Sequence, residues 1–298
     1  MLLITASNIQ AHYGKKIALD CFSFEMAPGE IAAVLGPNGS GKTTFFRLLL
    51  GLLRHTAGSV EIMGGPPGNP NSLARIGATI ELPSLYGNLS ALENLKAASH
   101  LKGISPSGQL VELIAEVGLS DAGNMPASKY SLGMRQRLAL AQALIGAPEL
   151  LILDEPANGL DPEGIRWFRE WAAGAPASKK RSILFSSHIL NEVAHIAQKV
   201  VILKEGKARF TGTLDELKGN SSHQLRIVTT DVLKAQELLR SKGFNVVVVK
   251  NALLLDCATD QRQEITRALF ESGHDLLGCV SLEPTLEDRY LAIMRDGV

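Results

Sequence analysis

The 298-residue chain has only three cysteines, no excess of charge of either sign, and no long uninterrupted apolar run. Cys21, Cys257 and Cys279 never fall in a metal-ligand spacing, which excludes a cysteine-based metal framework and predicts free thiols in a reducing compartment, used as small core residues. Thirty basic residues balance thirty acidic ones, so no broad field draws the chain to nucleic acid, and any anion must be held by a local site. No stretch approaches ~18 apolar residues, and the start, MLLITASNIQ, lacks the basic residues and apolar core of a signal peptide. These absences predict a chain that neither crosses a membrane nor is exported. What is present, 45% hydrophobic residues over a length sufficient for two ordinary domains, predicts a sizeable core.

Short apolar runs separated by turn residues, LLITAS, IALDCFSF and IAAVLG, predict strands over the first 35 residues or so. TFFRLLLGLL carries helical spacing and is followed by the loop GGPPGNPNS. Between about 88 and 148 the segments SALENLKAASHL, SGQLVELIAEVGL and LGMRQRLALAQALIG predict a helical insert. Strands return at LLILDEP, SILFSS and KVVILKEGKARFTG with helices between the first three, so the sheet is expected to be largely parallel. Beyond Gly219 the alternation becomes βαββαβ, a ferredoxin-like split βαβ pattern, which predicts a small second domain over 221–298 after a first over 1–219.

GPNGSGKT, from Gly36 through Pro37, Asn38, Gly39, Ser40 and Gly41 to Lys42 and Thr43, follows the strand IAAVL and opens a helix, the setting a phosphate-binding P-loop requires. Its glycines let backbone N–H groups surround phosphate oxygens at the positive end of a helix. Lys42 is expected to reach the β- and γ-phosphates, Thr43 to offer a hydroxyl to Mg²⁺, and Thr44 to bond the α-phosphate. A glycine-rich turn that binds nothing is the bland alternative, and the strand–loop–helix context weighs against it.

LLILDEP separates the remaining possibilities. Four apolar residues drive a strand to an end where Asp154 can hold Mg²⁺ and Glu155 can orient or deprotonate an attacking water. No NKxD guanine-reading motif occurs, so ATP is the expected nucleotide.

At YSLGMRQRLALAQAL these motifs resemble, in order and spacing, the nucleotide-binding subunits of ABC transporters. Ser131 and Gly133 stand at the second and fourth positions of that family's LSGGQ-like signature, while Tyr130, Leu132 and Met134 depart from it. The resemblance covers residues 1 to about 219 and implies an α/β P-loop NTPase with a mixed, largely parallel sheet, an N-terminal antiparallel β part and the helical insert, the small α+β domain following. It further implies that Tyr13 stacks on adenine, that Asn158–Asp161 touches an opposing subunit, and that His188 contacts the γ-phosphate. Two chains, alike or different, would sandwich two ATP molecules, with Ser131 and Gly133 of one facing Lys42 of the other, and drive a permease encoded on another chain. The subunit would then be cytoplasmic and peripheral on the inner face of the membrane.

ATIELPSLYG departs from the family at one informative place. Where a glutamine usually meets Mg²⁺ and the attacking water, this chain has Glu81, and the only glutamine between Thr44 and Tyr130 is Gln109. The carboxylate keeps an oxygen for Mg²⁺ but loses the amide's donor and adds a negative charge; a solvated strand end is the alternative. IGATIELPSLYGNLSALENL, SLGMRQRL and NGLDPEGI are similar to exporter ATPases of bacitracin resistance and lantibiotic self-protection, which implies an antimicrobial peptide or another amphipathic compound as cargo. The competing reading is a soluble ABC-type ATPase outside transport; a single P-loop and the lack of sustained heptads oppose it.

Overall fold

The computed structural model describes residues 2–14, 16–80, 85–106, 108–179, 181–218, 223–249, 252–257, 261–282 and 285–295. Two compact units divide the chain, Met1–Leu214 and Asp215–Asp296.

In the first unit, β1 (Ile4–Tyr13) lies between β2 (Lys16–Met26) and β4 (Ala57–Ile62) in an antiparallel sheet. The segment AGSVEI was not anticipated as a strand: only two of its six side chains are buried, so its apolar signal is weak, and pairing with β1 supplies what the side chains do not. Tyr13 pairs with Lys16 at the tip of the β1–β2 hairpin, where Gly14 turns at φ 61°.

The second sheet has the order β5 (Ile76–Thr79), β6 (Leu150–Leu153), β7 (Ser182–Ser187), β3 (Ile31–Leu35), β8 (Lys199–Lys204) and β9 (Lys207–Thr213), parallel except for the β8–β9 hairpin. IAAVL and LLIL are buried at every position, as expected of strands covered on both faces. Their C-terminal ends converge where α1 (Lys42–Leu49) begins. Phe45 of α1 meets Phe22 at 4.7 Å and Phe24 at 5.4 Å between ring centroids, both edge-on, so the helix behind the glycine-rich loop is anchored in the β1–β2 core. Truncating Phe45 to alanine would cost about 3–5 kcal/mol and loosen that anchor.

The short α2 (Pro70–Leu73) precedes β5, and the helical insert follows as α3 (Ala91–Leu101), α4 (Gln109–Glu116) and α5 (Leu132–Leu144). Ser90 and Glu93 form the reciprocal capping box that SALEN encodes. The wholly buried Asn94 closes the turn ahead of α3, accepting from Tyr86 N–H and donating to the carbonyls of Tyr86, Leu89 and Ser90. After β6 come α6 (Pro162–Lys179), leading to β7, and α7 (Leu190–Ala194), leading to β8.

Past α8 (Leu214–Lys218), the second unit runs β10 (His223–Thr229), α9 (Val232–Ser241), β11 (Val246–Val249), β12 (Ala252–Cys257), α10 (Gln261–Glu271), β13 (Leu276–Leu282) and α11 (Leu286–Arg295). Its antiparallel sheet has the order β11-β12-β10-β13 and encloses a separate core that includes Leu225, Ile227, Leu239, Val246, Leu253 and Ile265. Helix α11 was not expected as an element.

The thiols need a correction. Cys21 is exposed on β2 at φ 51°, where β1–β2 pairing shifts register, and Cys279 is half-buried; the side chain of Cys257 lies outside what is described. Cys21 sits on the outward side of an alternating strand, a parity that composition alone does not reveal.

Candidate active site

The chain leaves β3 at Leu35 and turns through Gly36, whose position tolerates no side chain: a Cβ there would stand 2.2 Å from Leu203 O and 2.7 Å from Ser40 Oγ. Gly41, at φ 115°, starts α1 in a conformation open to glycine. The fold thus wraps residues 36–41 tightly before the helix, and Ser40 Oγ is buried with no hydrogen-bond partner among the described residues.

Lys42 is 5% exposed and its ammonium meets three oxygens: Gly36 O at 2.8 Å, Pro37 O at 3.2 Å and Glu155 Oε1 at 3.1 Å. Burying a lysine charge is unfavourable without such compensation. A cavity of about 280 Å³ lies in front of it, lined by Tyr13, Asn38, Gly39, Thr43 and Thr44 among others. Tyr13 is exposed at the cavity's rim, with the Arg47 guanidinium 5.9 Å from its ring centroid.

Asp154 and Glu155 follow β6. Thr43 Oγ1 donates to Asp154 Oδ2 at 2.7 Å, and Ser186 Oγ donates to Asp154 Oδ1 at 2.5 Å. Ser186 also accepts from the N–H of Glu155 at 2.8 Å. Glu155 adopts φ 48°, a left-handed conformation that costs a non-glycine residue about 1–2 kcal/mol and is held here by that bond. The other Glu155 oxygen, Oε2, lies 2.7 Å from His188 Nδ1. One carboxylate therefore links Lys42 on the loop to His188 beyond β7.

The structure brings Lys42, Thr43, Asp154, Glu155 and His188 together. It does not bring Ser131 and Gly133 to the same cavity. Ser131 is the exposed N-cap of α5, accepting from Met134 N–H at 3.2 Å. The Asn158–Asp161 turn leads into α6, where Asp161 Oδ1 accepts from Gly164 N–H at 2.7 Å. Glu81 lies outside the described residues; the strand before it ends at Thr79, whose carbonyl accepts from Asp154 N–H at 2.8 Å.

Sequence reasoning missed Ser186, Ser187 and Glu192. Ser187 Oγ donates to Glu192 Oε2 at 2.7 Å, and both residues are buried. Burial pushes the Glu192 carboxyl up, the Ser187 hydroxyl pulls it back, and nearby Glu155 raises it again, against smaller lowering by His188 and Arg169. The two serines inside an apolar strand, SILFSS, were the available signal.

The residues fit Mg²⁺ by donor chemistry, a threonine hydroxyl beside a carboxylate with all-oxygen character. The close-wrapped loop and the orphaned Ser40 hydroxyl likewise suit phosphate oxygens.

A P-loop nucleoside triphosphatase with a largely parallel sheet and its two acids at a strand end is the class that this fold and site define. The family profile for ABC transporters matches residues 19–158. Over 99% of this chain and 98% of its own length, the bacitracin transport ATP-binding protein BcrA of Bacillus licheniformis is 34% identical. The lantibiotic transport ATP-binding protein SrtF of Streptococcus pyogenes is 42% identical over 69% of this chain and 88% of its own. A solved ATP-binding subunit of an ABC transporter, 29% identical, superposes with a TM-score of 0.64 over 72% of this chain and 92% of that one. An ATP-binding cassette captured as a dimer with ADP and Pi, 22% identical, shares the fold at a TM-score of 0.65 over 71% and 99%. This chain belongs to the ABC transporter family as an ATP-hydrolysing, ATP-binding subunit.

Proposed function

We propose that the subunit binds ATP with its base on Tyr13 and its phosphates in the loop 36–44, and that it drives export of an antimicrobial peptide or a similar amphipathic compound. The observation that carries the catalytic part is Glu155, held between Lys42 and His188 at the end of β6. In this reading Lys42 turns from Glu155 to the β- and γ-phosphates, which frees Oε1 to take a proton from water. His188 keeps Oε2 in place and faces the γ-phosphate. Thr43 and Asp154 would hold Mg²⁺, which supplies charge neutralisation on the phosphates. Glu81 is assigned to the same water and metal from the sequence alone.

The exposed Ser131 at the N-terminus of α5 supports a second contact to phosphate, made across a dimer, because that helix end is electropositive and lies away from its own chain's cavity. Two chains would then close head to tail over two ATP molecules, in a homodimer or with a related subunit. Among the described residues no helix is long and apolar enough to cross a membrane; the relatives' named transport role supports a separate permease that receives the force. A groove of about 510 Å³, with Leu73, Ile80, Leu101 and Lys102 among its lining, follows directly from β5 and suits a permease segment. In this reading the subunit sits against its permease at the inner face of the membrane.

The cargo rests on the relatives' named transport of bacitracin and lantibiotics. Expression of the chain with its permease should protect cells from such a peptide, and the same co-expression with Glu155→Gln should remove the protection. Membranes that hydrolyse ATP but confer no protection against bacitracin or any lantibiotic tested would overturn the assignment of cargo.

A further inference from the structure

Behind the hydrolytic residues stands a buried carboxyl with no assigned task. Glu192, on α7, is 7% exposed, and its Oε1 has no hydrogen-bond partner among the described residues. Placing such a group in the interior is unfavourable unless something compensates. Its one short bond, from Ser187 Oγ to Oε2 at 2.7 Å, goes to the residue immediately before His188.

Ser187 is a junction. Its hydroxyl also accepts from Ile189 N–H at 2.9 Å, and its carbonyl accepts from Gly36 N–H at 3.2 Å, at the start of the glycine-rich loop. Glu192 N–H returns to Ile189 O at 3.3 Å. The turn is thus closed on both sides of His188, whose own side chain is 37% exposed and has Glu155 as its hydrogen-bond partner.

We propose that Glu192 is a positioning residue for ATP hydrolysis: through the Ser187 hydroxyl it fixes the turn that carries His188, and so sets the imidazole's hold on Glu155. Glu192 is joined through one hydroxyl to the turn that carries His188 beyond β7, so its bond lands one residue from the imidazole that meets Glu155. A glutamine can replace it in this role, because the amide oxygen still accepts the Ser187 proton. An alanine cannot.

The test is steady-state ATP hydrolysis by the full chain carrying Glu192→Gln, Glu192→Ala, Ser187→Ala, His188→Ala, and Glu192→Ala combined with His188→Ala. The expected result is a loss of about tenfold in kcat for Glu192→Ala and Ser187→Ala, with KM for ATP within about twofold, since the interaction serves the chemical step. Glu192→Gln should stay within about threefold, and Glu192→Ala should cost less than about twofold more in the His188→Ala background, because residues acting as one unit are not additive. Normal turnover by Glu192→Ala, equal losses for Gln and Ala, or a further tenfold loss on His188→Ala would each overturn the inference. If Glu192→Ala fails to fold by thermal unfolding, Ser187→Ala with and without His188→Ala decides by the same criteria. The inference rests on reading Glu155 and His188 as hydrolytic residues, and Glu155→Gln in the same assay separates the two: normal turnover there sinks that reading, whereas a slow Glu155→Gln beside an indifferent Glu192→Ala and Ser187→Ala sinks only the inference.

Discussion

Ser186 Oγ stands 2.5 Å from Asp154 Oδ1 while it accepts the N–H of Glu155 at 2.8 Å, so one buried hydroxyl fixes both acids at the end of β6. Ser186→Ala should leave Asp154 and the Glu155 N–H without that partner, at about 1–3 kcal/mol of stability. In the proposed role of Asp154, the Mg²⁺ concentration for half-maximal hydrolysis should rise about tenfold, equivalent to about 1.4 kcal/mol, while ATP binding without Mg²⁺ is unchanged. A Mg²⁺ titration that matches the wild type would remove Ser186 from this task.

Glu155→Gln keeps the shape of the side chain but removes the charge that can receive a proton. Turnover should fall by about 10²–10⁴, the range for loss of a positioned base, with ATP still bound. ATP should then trap a dimer visible by size-exclusion chromatography. Hydrolysis at the normal rate would exclude Glu155 as the base.

How far the sequence revealed this site depends on whether a residue's role is local. Gly36 to Thr43 was legible because strand, glycines and helix start are contiguous, and LLILDEP because four apolar residues point to the strand end. The ferredoxin-like order of the second unit was legible from alternation alone and appears as β11-β12-β10-β13. Ser186 was not, since its partner lies 32 positions away and only the β6–β7 pairing brings them together. Nor was the direct contact of Lys42 with Glu155, because motif reading assigns each residue to a ligand and not to its neighbour. The question raised by Glu81 falls on residues the structure does not describe.

Gly36→Ala tests the cradle itself. The added Cβ would fall 2.2 Å from the backbone oxygen of Leu203 at the end of β8, a strand held between β3 and β9, and a backbone atom cannot swing aside as a side-chain tip can. Overpacking of this kind costs about 1–3 kcal/mol or more, and here it also displaces the loop. Binding of a fluorescent ATP analogue should be lost in protein that still shows a cooperative melt. Retained affinity would mean that the loop has more room than this geometry allows.

Ser131→Arg separates a site within one chain from a site shared by two. Ser131 is exposed and outside the cavity that holds Lys42, so a bulky cation there should leave the isolated subunit's ATP affinity within about twofold. Hydrolysis should nevertheless stop, and a double with Glu155→Gln should no longer dimerise with ATP. Loss of ATP binding by the mutant monomer would exclude a contact made across the dimer.

Every proposed nucleotide-binding and catalytic residue, from Tyr13 to His188, lies in the first unit, and the second has its own core around Leu225, Leu239 and Leu253. The sequence expectation put the boundary at 219, slightly after the division at Leu214, and α8 lies between the two. The cut is placed after Lys218, where α8 ends. Solved cassettes align with 72% of this chain, which supports a first unit that folds without the second. A chain of residues 1–218 should therefore bind ATP as the full chain does, and its thermal unfolding should remain a single transition. The bacitracin relative aligns over 99% of the chain, second unit included, so the loss is expected in a task shared with that protein and not in the chemistry. Dimerisation driven by ATP in the Glu155→Gln background is the measurement for that task, and a weakening of about tenfold would correspond to about 1.4 kcal/mol of contact. Insoluble protein, or protein unable to bind ATP, would mean that the two units depend on each other to fold.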